Sequence, residues 1–290
     1  MATVTVGSGS TSTVIFGNGT VLAGNGNDTI ITQLAGYIKA GNGNDSIITY
    51  GNGTVTAGNG NDTVYVHGPQ SSVHLGNGND SINVDNGNMT VGSGSDTISL
   101  YGNGTIYQSG TAGHDTITLG YGNNTVHEAG HATVTGPFGS AVIDGGAVSF
   151  VNSGYATHTE AALSGNVTLI GGQWTSEFIG GNGKEVMQGL SGNETFVGGS
   201  GFDTMIGGTG PNTYEFLAAD KGGQHLVSNF VSGKDQLYLE GHTLSYLEAH
   251  NDVSTSGGNT YISLDGGKTS IELKGITSLS SSDVTTHKPS

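Results

Sequence analysis

Six aspartates recur at a near-constant interval: Asp28, Asp45, Asp62, Asp80, Asp96 and Asp115, spaced 17, 17, 18, 16 and 19 residues apart. Each closes a Gly-rich cluster, as in "AGNGNDTI" at 23–30, "AGNGNDSI" at 40–47 and "LGNGNDSI" at 75–82. The glycines of the first five clusters are Gly24 and Gly26, Gly41 and Gly43, Gly58 and Gly60, Gly76 and Gly78, and Gly92 and Gly94. Such a turn offers backbone carbonyls that no side chain obstructs, and its Asp adds a negative charge. Hard cations take about six to eight oxygens of this kind. An ion between two stacked turns would draw a carboxylate from one and carbonyls from the next. An Asp can instead close an Asx-turn on its own backbone, but six in register favour a shared ion over six separate turns.

The elements that must position these turns are short. A second, acid-free turn alternates with the first: "GNGT" stands at 17–20, 51–54 and 102–105. One period therefore reads turn, strand, turn, strand, with no 3.6-residue periodicity and no room for a helix. This predicts a parallel coil in which each strand pairs with its counterpart one period later. Successive coils would stack about 4.8 Å apart. Ile30, Ile47, Val64, Ile82, Ile98 and Ile117 would form one inward column, with Val21, Val55, Ile106 and Val126 in the facing one. Gly and Asn are expected at the corners because they tolerate positive φ. Asn25, Asn42, Asn59 and Asn77, beside Asn27, Asn44, Asn61 and Asn79, would make flat outward files. Without ions the stacked aspartates would repel by roughly 1 kcal/mol per neighbour in water and about 3–4 at an effective dielectric near 20. The roll is therefore expected to order only where cations are plentiful.

The bulk numbers agree. Of 290 residues 54 are Gly, only 33% are hydrophobic, and the net charge is −16. There is no Arg, and Lys39 is the one Lys before residue 180. Nucleic acid, which demands a basic face, and anionic membrane surfaces are excluded as partners. No stretch is apolar long enough for membrane insertion. The lack of Cys removes disulfide and thiol chemistry. The opening "MATVTVGSGS" lacks the basic and apolar regions of a signal peptide, so export is expected by a route that reads no N-terminal signal.

The 17-residue rhythm covers 1–135 and lapses over 136–161, which reads as an irregular junction. A nine-residue frame follows over 162–216: "GGQWTSEFI", "GGNGKEVMQ", "GLSGNETFV", "GGSGFDTMI", "GGTGPNTYE". Its sixth position holds Glu185, Glu194, Asp203 and Asn212 in the last four copies. Residues 217–290 read as a β-rich cap whose final "THKPS" is frayed.

The copy "GGSGFDTMI" resembles the nonapeptide of the RTX (repeats-in-toxin) calcium-binding proteins. The segment "LVSNFVSGKDQLYLEG" is similar to the one that closes the β-roll in type I-secreted members. The resemblance covers 162–290 and continues, in stretched form, through the N-terminal part. It implies an all-β fold: a parallel β-roll or β-solenoid with several Ca2+ ions in the Gly/Asn/Asp turns and a C-terminal β-rich cap. It further implies a C-terminal secretion signal and an extracellular or cell-surface destination. Carried onto this sequence, the metal ligands are the six aspartates with the ten glycines named above, and Glu185, Glu194 and Asp203. Because alternate N-terminal turns carry no Asp, calcium is expected along one edge of that roll.

One motif points elsewhere. "HEAGH" at 127–131 fits the His-Glu-x-x-His pattern of zinc proteases. That chemistry needs a helix, whereas "NNTVHEAGHATVTG" reads strand, turn, strand, so it is taken as a coincidental exposed turn. No enzyme is expected. Trp174 and Phe178 are assigned to core packing at the junction rather than to a sugar platform. The favoured function is a calcium-dependent, self-assembling extracellular structural protein, a fibre, surface layer or biofilm matrix, whose partners are head-to-tail copies of itself. The alternative is an adhesin or an ice- or polysaccharide-binding module, with cell-surface polysaccharide as partner.

Overall fold

The computed structural model describes residues 2–15, 17–33, 36–136, 138–152, 158–173, 176–220 and 222–288. It is a β-solenoid built almost wholly from short parallel strands, in two compact units: residues 1–139 with 146–148, and residues 140–145 with 149–290. Trp174 lies outside the described residues.

In the first unit two stacks of strands alternate along the chain. Thr29–Thr32, Ser46–Thr49, Thr63–Val66, Ser81–Val84, Thr97–Leu100, Asp115–Leu119 and His131–Gly136 form one stack. Gly19–Leu22, Gly36–Lys39, Gly53–Thr56, Ser71–His74, Gly87–Val91, Gly104–Gln108 and Tyr121–His127 form the other. Register is strict, with Ile30 opposite Ile47, then Val64, Ile82, Ile98, Ile117 and Val134. Val21, Ile38, Val55, Val73, Met89, Ile106 and Val126 make the facing column. All are buried. β-Branched residues suit these strands because their stiff side chains fill a pleated inner face, and each burial contributes roughly 1.5–3 kcal/mol.

The two glycines of each corner answer to different constraints. Gly60 has φ 147°, and a Cβ there would meet the Gly43 carbonyl oxygen at 1.9 Å. Gly58 needs no positive φ, yet a Cβ would sit 2.4 Å from both the Gly41 carbonyl oxygen and Asn42 Oδ1. Coil-on-coil approach, rather than φ alone, excludes side chains. The expectation that Asn serves these corners through positive φ is corrected: among the described residues the non-glycine positive φ angles belong to Asn229, Asn251 and Asp265. The corner asparagines act through their amides. Asn42 N–H donates to Asn25 Oδ1 and Asn59 N–H to Asn42 Oδ1, and Asn44 and Asn61 repeat this on Asn27 and Asn44.

In the stretch 136–161, expected to be irregular, one long strand covers Phe138–Asn152 and a second, His158–Ile170, begins; residues 137 and 153–157 lie outside the described residues. Its alternating Val, Ile, Ala and Phe supply strand patterning even though the Gly-Asn corners are missing.

The second unit carries the nine-residue frame. Within the frame each half-coil is one nonapeptide, so Glu177 pairs with Thr195 and Thr195 with Thr213; past the frame the coil lengthens, and Thr213 pairs with Gln236. Its core is larger. Phe178, Phe196 and Tyr214 stack at 5.1 and 5.0 Å between ring centroids, opposite the column Leu169, Met187, Met205, Val227, Leu273. The C-terminal cap is antiparallel where the roll is parallel: Val253–Ser256, Asn259–Leu264 and Thr269–Leu273 pair in sequence, and the last joins the roll strand Gly223–Ser228. Among the described residues one short helix, Leu244–Ala249, interrupts the β-rich cap; Thr243 caps it by accepting from the Tyr246 N–H. Near the end of the described residues, Lys288 Nζ lies 3.1 Å from the buried Glu215 carboxylate.

Candidate metal-binding edge

The six aspartates lie one above another on a single edge of the first unit, each 1–2% exposed. They do not form local Asx-turns. Instead each backbone N–H donates to the Oδ1 of the Asp one coil later: Asp28 to Asp45 at 2.9 Å, then Asp45 to Asp62, Asp62 to Asp80, Asp80 to Asp96 and Asp96 to Asp115, each at 2.8 Å. The series begins at Thr11, whose N–H and hydroxyl both donate to Asp28 Oδ1. One oxygen of every carboxylate is thus fixed by the fold. The other, Oδ2, is buried with no hydrogen-bond partner in all six.

Six buried, half-satisfied carboxylates are costly as anions. Burial pushes Asp62 and Asp96 up to about 6 and Asp80 to about 7, against a partial lowering by the neighbouring N–H and a further rise from adjacent carboxylates. Asp45 and Asp115 are raised for the same first reason. The orphaned oxygens, the glycine corners and the all-oxygen chemistry fit a hard divalent cation. Among the described residues no three His, Cys, Asp or Glu side chains converge as a metal cluster. The topology explains why: each coil contributes one carboxylate, so backbone oxygens must complete any shell.

The second unit has acidic corners on both edges. On one, Glu185 N–H donates to Asp203 Oδ1 at 3.2 Å, and Asp203 Oδ2 lies 3.0 Å from His225 Nδ1. Burial raises both carboxyls; Asp203 raises Glu185 further, hydrogen bonds from Glu185 partly offset the rise on Asp203, and burial lowers His225. On the other edge Glu194 N–H donates to Asn212 Oδ1, and Asn212 N–H to Asp235 Oδ1. Both carboxylate oxygens of Glu185 and of Glu194 are buried without partners. His225 and Asp235 escape a sequence reading because they fall after the nine-residue frame ends; strand register alone sets them in these files.

"HEAGH" spans the end of one strand, a turn and the start of the next, Tyr121–His127 and His131–Gly136. The helix that zinc proteolysis requires is absent there. His127 stacks on Tyr107 at 4.5 Å and His131 is exposed. Glu128, however, is only 4% exposed, which corrects the expectation of an exposed turn.

The RTX calcium-binding nonapeptide repeat matches this chain in four copies, over residues 16–33, 48–68, 109–127 and 179–214. Among solved structures, the extracellular lipase LipA from Serratia marcescens is similar at 13% identity and a TM-score of 0.22, over 73% of this chain and 39% of that one. The chain thus spans about two fifths of that lipase's length. No curated protein matches. The repeat match, not this distant likeness, carries the assignment of calcium. No helix among the described residues is long and apolar enough to cross a membrane.

Proposed function

For a chain that is a calcium-binding RTX β-roll repeat protein, we propose that it is an extracellular structural protein, secreted unfolded, that folds on calcium and then joins other copies head to tail. The observation that carries this reading is the row of buried, partnerless Oδ2 atoms from Asp28 to Asp115. A metal-free chain would bury six anions in one file; calcium between coils removes that cost. Asp28, Asp45, Asp62, Asp80, Asp96 and Asp115 would hold the ions with turn carbonyls. The carbonyls of Gly24, Gly41, Gly58 and Gly76 already accept from the glycine N–H one coil on. This favours the second glycine of each corner, Gly26, Gly43, Gly60 and Gly78, as the main backbone ligand. Asp203, Glu185 and Glu194 would serve in the second unit. Bound calcium supplies positive charge and crosslinks adjacent coils; the reading assigns no catalysis.

The assembly step extends the pairing that runs through the roll, in which each parallel strand joins its counterpart one coil on, so that one copy would add coils to the next. Circular dichroism and electron microscopy of the same preparation, in calcium and in chelator, test both steps. Calcium-dependent β signal followed by filaments is expected. Full β signal in chelator at pH 8, where the carboxylates are ionised, would refute the folding step, and monodisperse monomers at high calcium the assembly step.

Exposed Tyr50, Tyr65, Tyr101, Tyr107 and Tyr121 favour a second reading, polysaccharide adhesion, since such rings can stack on sugars. Calcium-dependent co-sedimentation with insoluble cellulose or chitin, without filaments, would select it.

A further inference from the structure

The Asp file of the first unit stops before the strands do. Asp115 pairs with Ala132 on the next coil, which brings no carboxylate. Across the same turn runs an inward file of apolar residues: Ala40, Ala57, Leu75 and Val91 are all buried. At the two coils where the Asp file ends, this second file turns polar. Val91 is opposite Gln108, and the pairs Ile106–Val126 and Tyr107–His127 bring Gln108 opposite Glu128.

Neither polar side chain is spent. Gln108 Nε2 donates to the Gly92 carbonyl at 3.1 Å, which fixes the amide and leaves Oε1 buried without a partner. Glu128, 4% exposed, accepts from the Gly130 N–H at Oε1, while Oε2 is buried and partnerless. Register sets it just before the turn that leads to Ala132, the residue opposite Asp115. Two buried like charges and an idle amide oxygen are unfavourable unless a cation joins them.

We propose that Glu128, with Asp115 and Gln108, forms a terminal calcium site in which a carboxylate reaching over from the preceding strand replaces the one that Ala132 lacks. The site rests on the calcium reading above. Its donor set is all oxygen, and two carboxylates match the charge of one divalent ion. The glutamate of "HEAGH" is thereby a structural calcium ligand, although its position lies outside every matched repeat.

Equilibrium dialysis of the full chain against radioactive calcium counts the ions. Glu128→Gln is expected to bind one ion fewer per chain than the parent, with the far-ultraviolet dichroism at saturating calcium unchanged. The double variant Glu128→Gln, Ala132→Asp, which returns a carboxylate to the vacant rung, is expected to recover that ion. Equal uptake by Glu128→Gln and the parent overturns the site. Should Glu128→Gln fail to fold, Glu128→Asp is measured instead: one class of ions weakened roughly tenfold or more supports the site, and unchanged affinities overturn it. A parent chain that binds no calcium sinks the general reading and this one together, whereas normal uptake untouched by Glu128 sinks this one alone.

Discussion

The backbone N–H of Asp62 donates to Oδ1 of Asp80 at 2.8 Å, although the two residues stand 18 positions apart. The fold therefore fixes Oδ1 of each of these carboxylates and leaves Oδ2 as the oxygen without a hydrogen-bond partner. Charge, rather than shape, is what calcium must correct at this edge.

Asp80→Asn separates the two. The amide retains an Oδ1 able to accept from Asp62, and removes a charge flanked by Asp62 and Asp96. Each neighbouring charge one strand spacing away contributes roughly 3 kcal/mol of repulsion at an effective dielectric near 20. The variant is expected to be more ordered than the parent in chelator, yet to bind fewer ions. Dichroism in chelator reads the order and equilibrium dialysis counts the ions; equal ion counts, or less order in chelator, would refute the ligand role.

In chelator, acid should stabilise the roll. Burial raises Asp62 and Asp96 to about 6 and Asp80 to about 7 from an ordinary 3.8. The folded chain then binds protons more tightly than the unfolded one. Its contribution is complete below about 3.8 and is lost as pH climbs through 6–7. The metal-free melting temperature is expected to fall between pH 4 and 8. In calcium the sign reverses, because protons compete for the carboxylates. A metal-free melting temperature that rises with pH would contradict the burial of these groups.

Gly60→Ala tests the coil-on-coil contact. Its Cβ would meet the Gly43 carbonyl oxygen at 1.9 Å, and φ is 147°. Overpacking and strain together should cost about 1–3 kcal/mol or more. Gly222→Ala, at a positive φ of 108° with open space around it, isolates the strain alone and should cost less. Denaturant melts in saturating calcium compare the two; equal losses would remove the role assigned to close approach.

Phe196→Ala removes the middle ring of the stack Phe178, Phe196, Tyr214 and is expected to cost about 3–5 kcal/mol. Phe196→Leu should cost less than half of that. Loss of near-ultraviolet dichroism with the first and its retention with the second would match a packed aromatic column; small, equal effects would not.

Much of the roll was legible because its period is short. Ile47 and Val64 recur 17 residues apart, and a repeat that long with two Gly-rich turns admits little besides stacked strands. The aspartates were legible as a file for the same reason. Their direct coupling was not, since no spacing rule says which oxygen of Asp80 the N–H of Asp62 will use. Asparagine type alone suggests backbone freedom at the corners, whereas the fold employs its side-chain amide between coils. Glu128 was hidden by a stronger local pattern, the His-Glu-x-x-His sequence around it.

The sequence by itself determined the coil, its apolar columns and its acidic edge, because these follow from residue type at a fixed interval. Tertiary structure alone decided which atoms remain unpaired. Gln108, Glu128 and His225 owe their surroundings to strand register where the repeat breaks down, and register is set by long-range hydrogen bonds that no local pattern encodes.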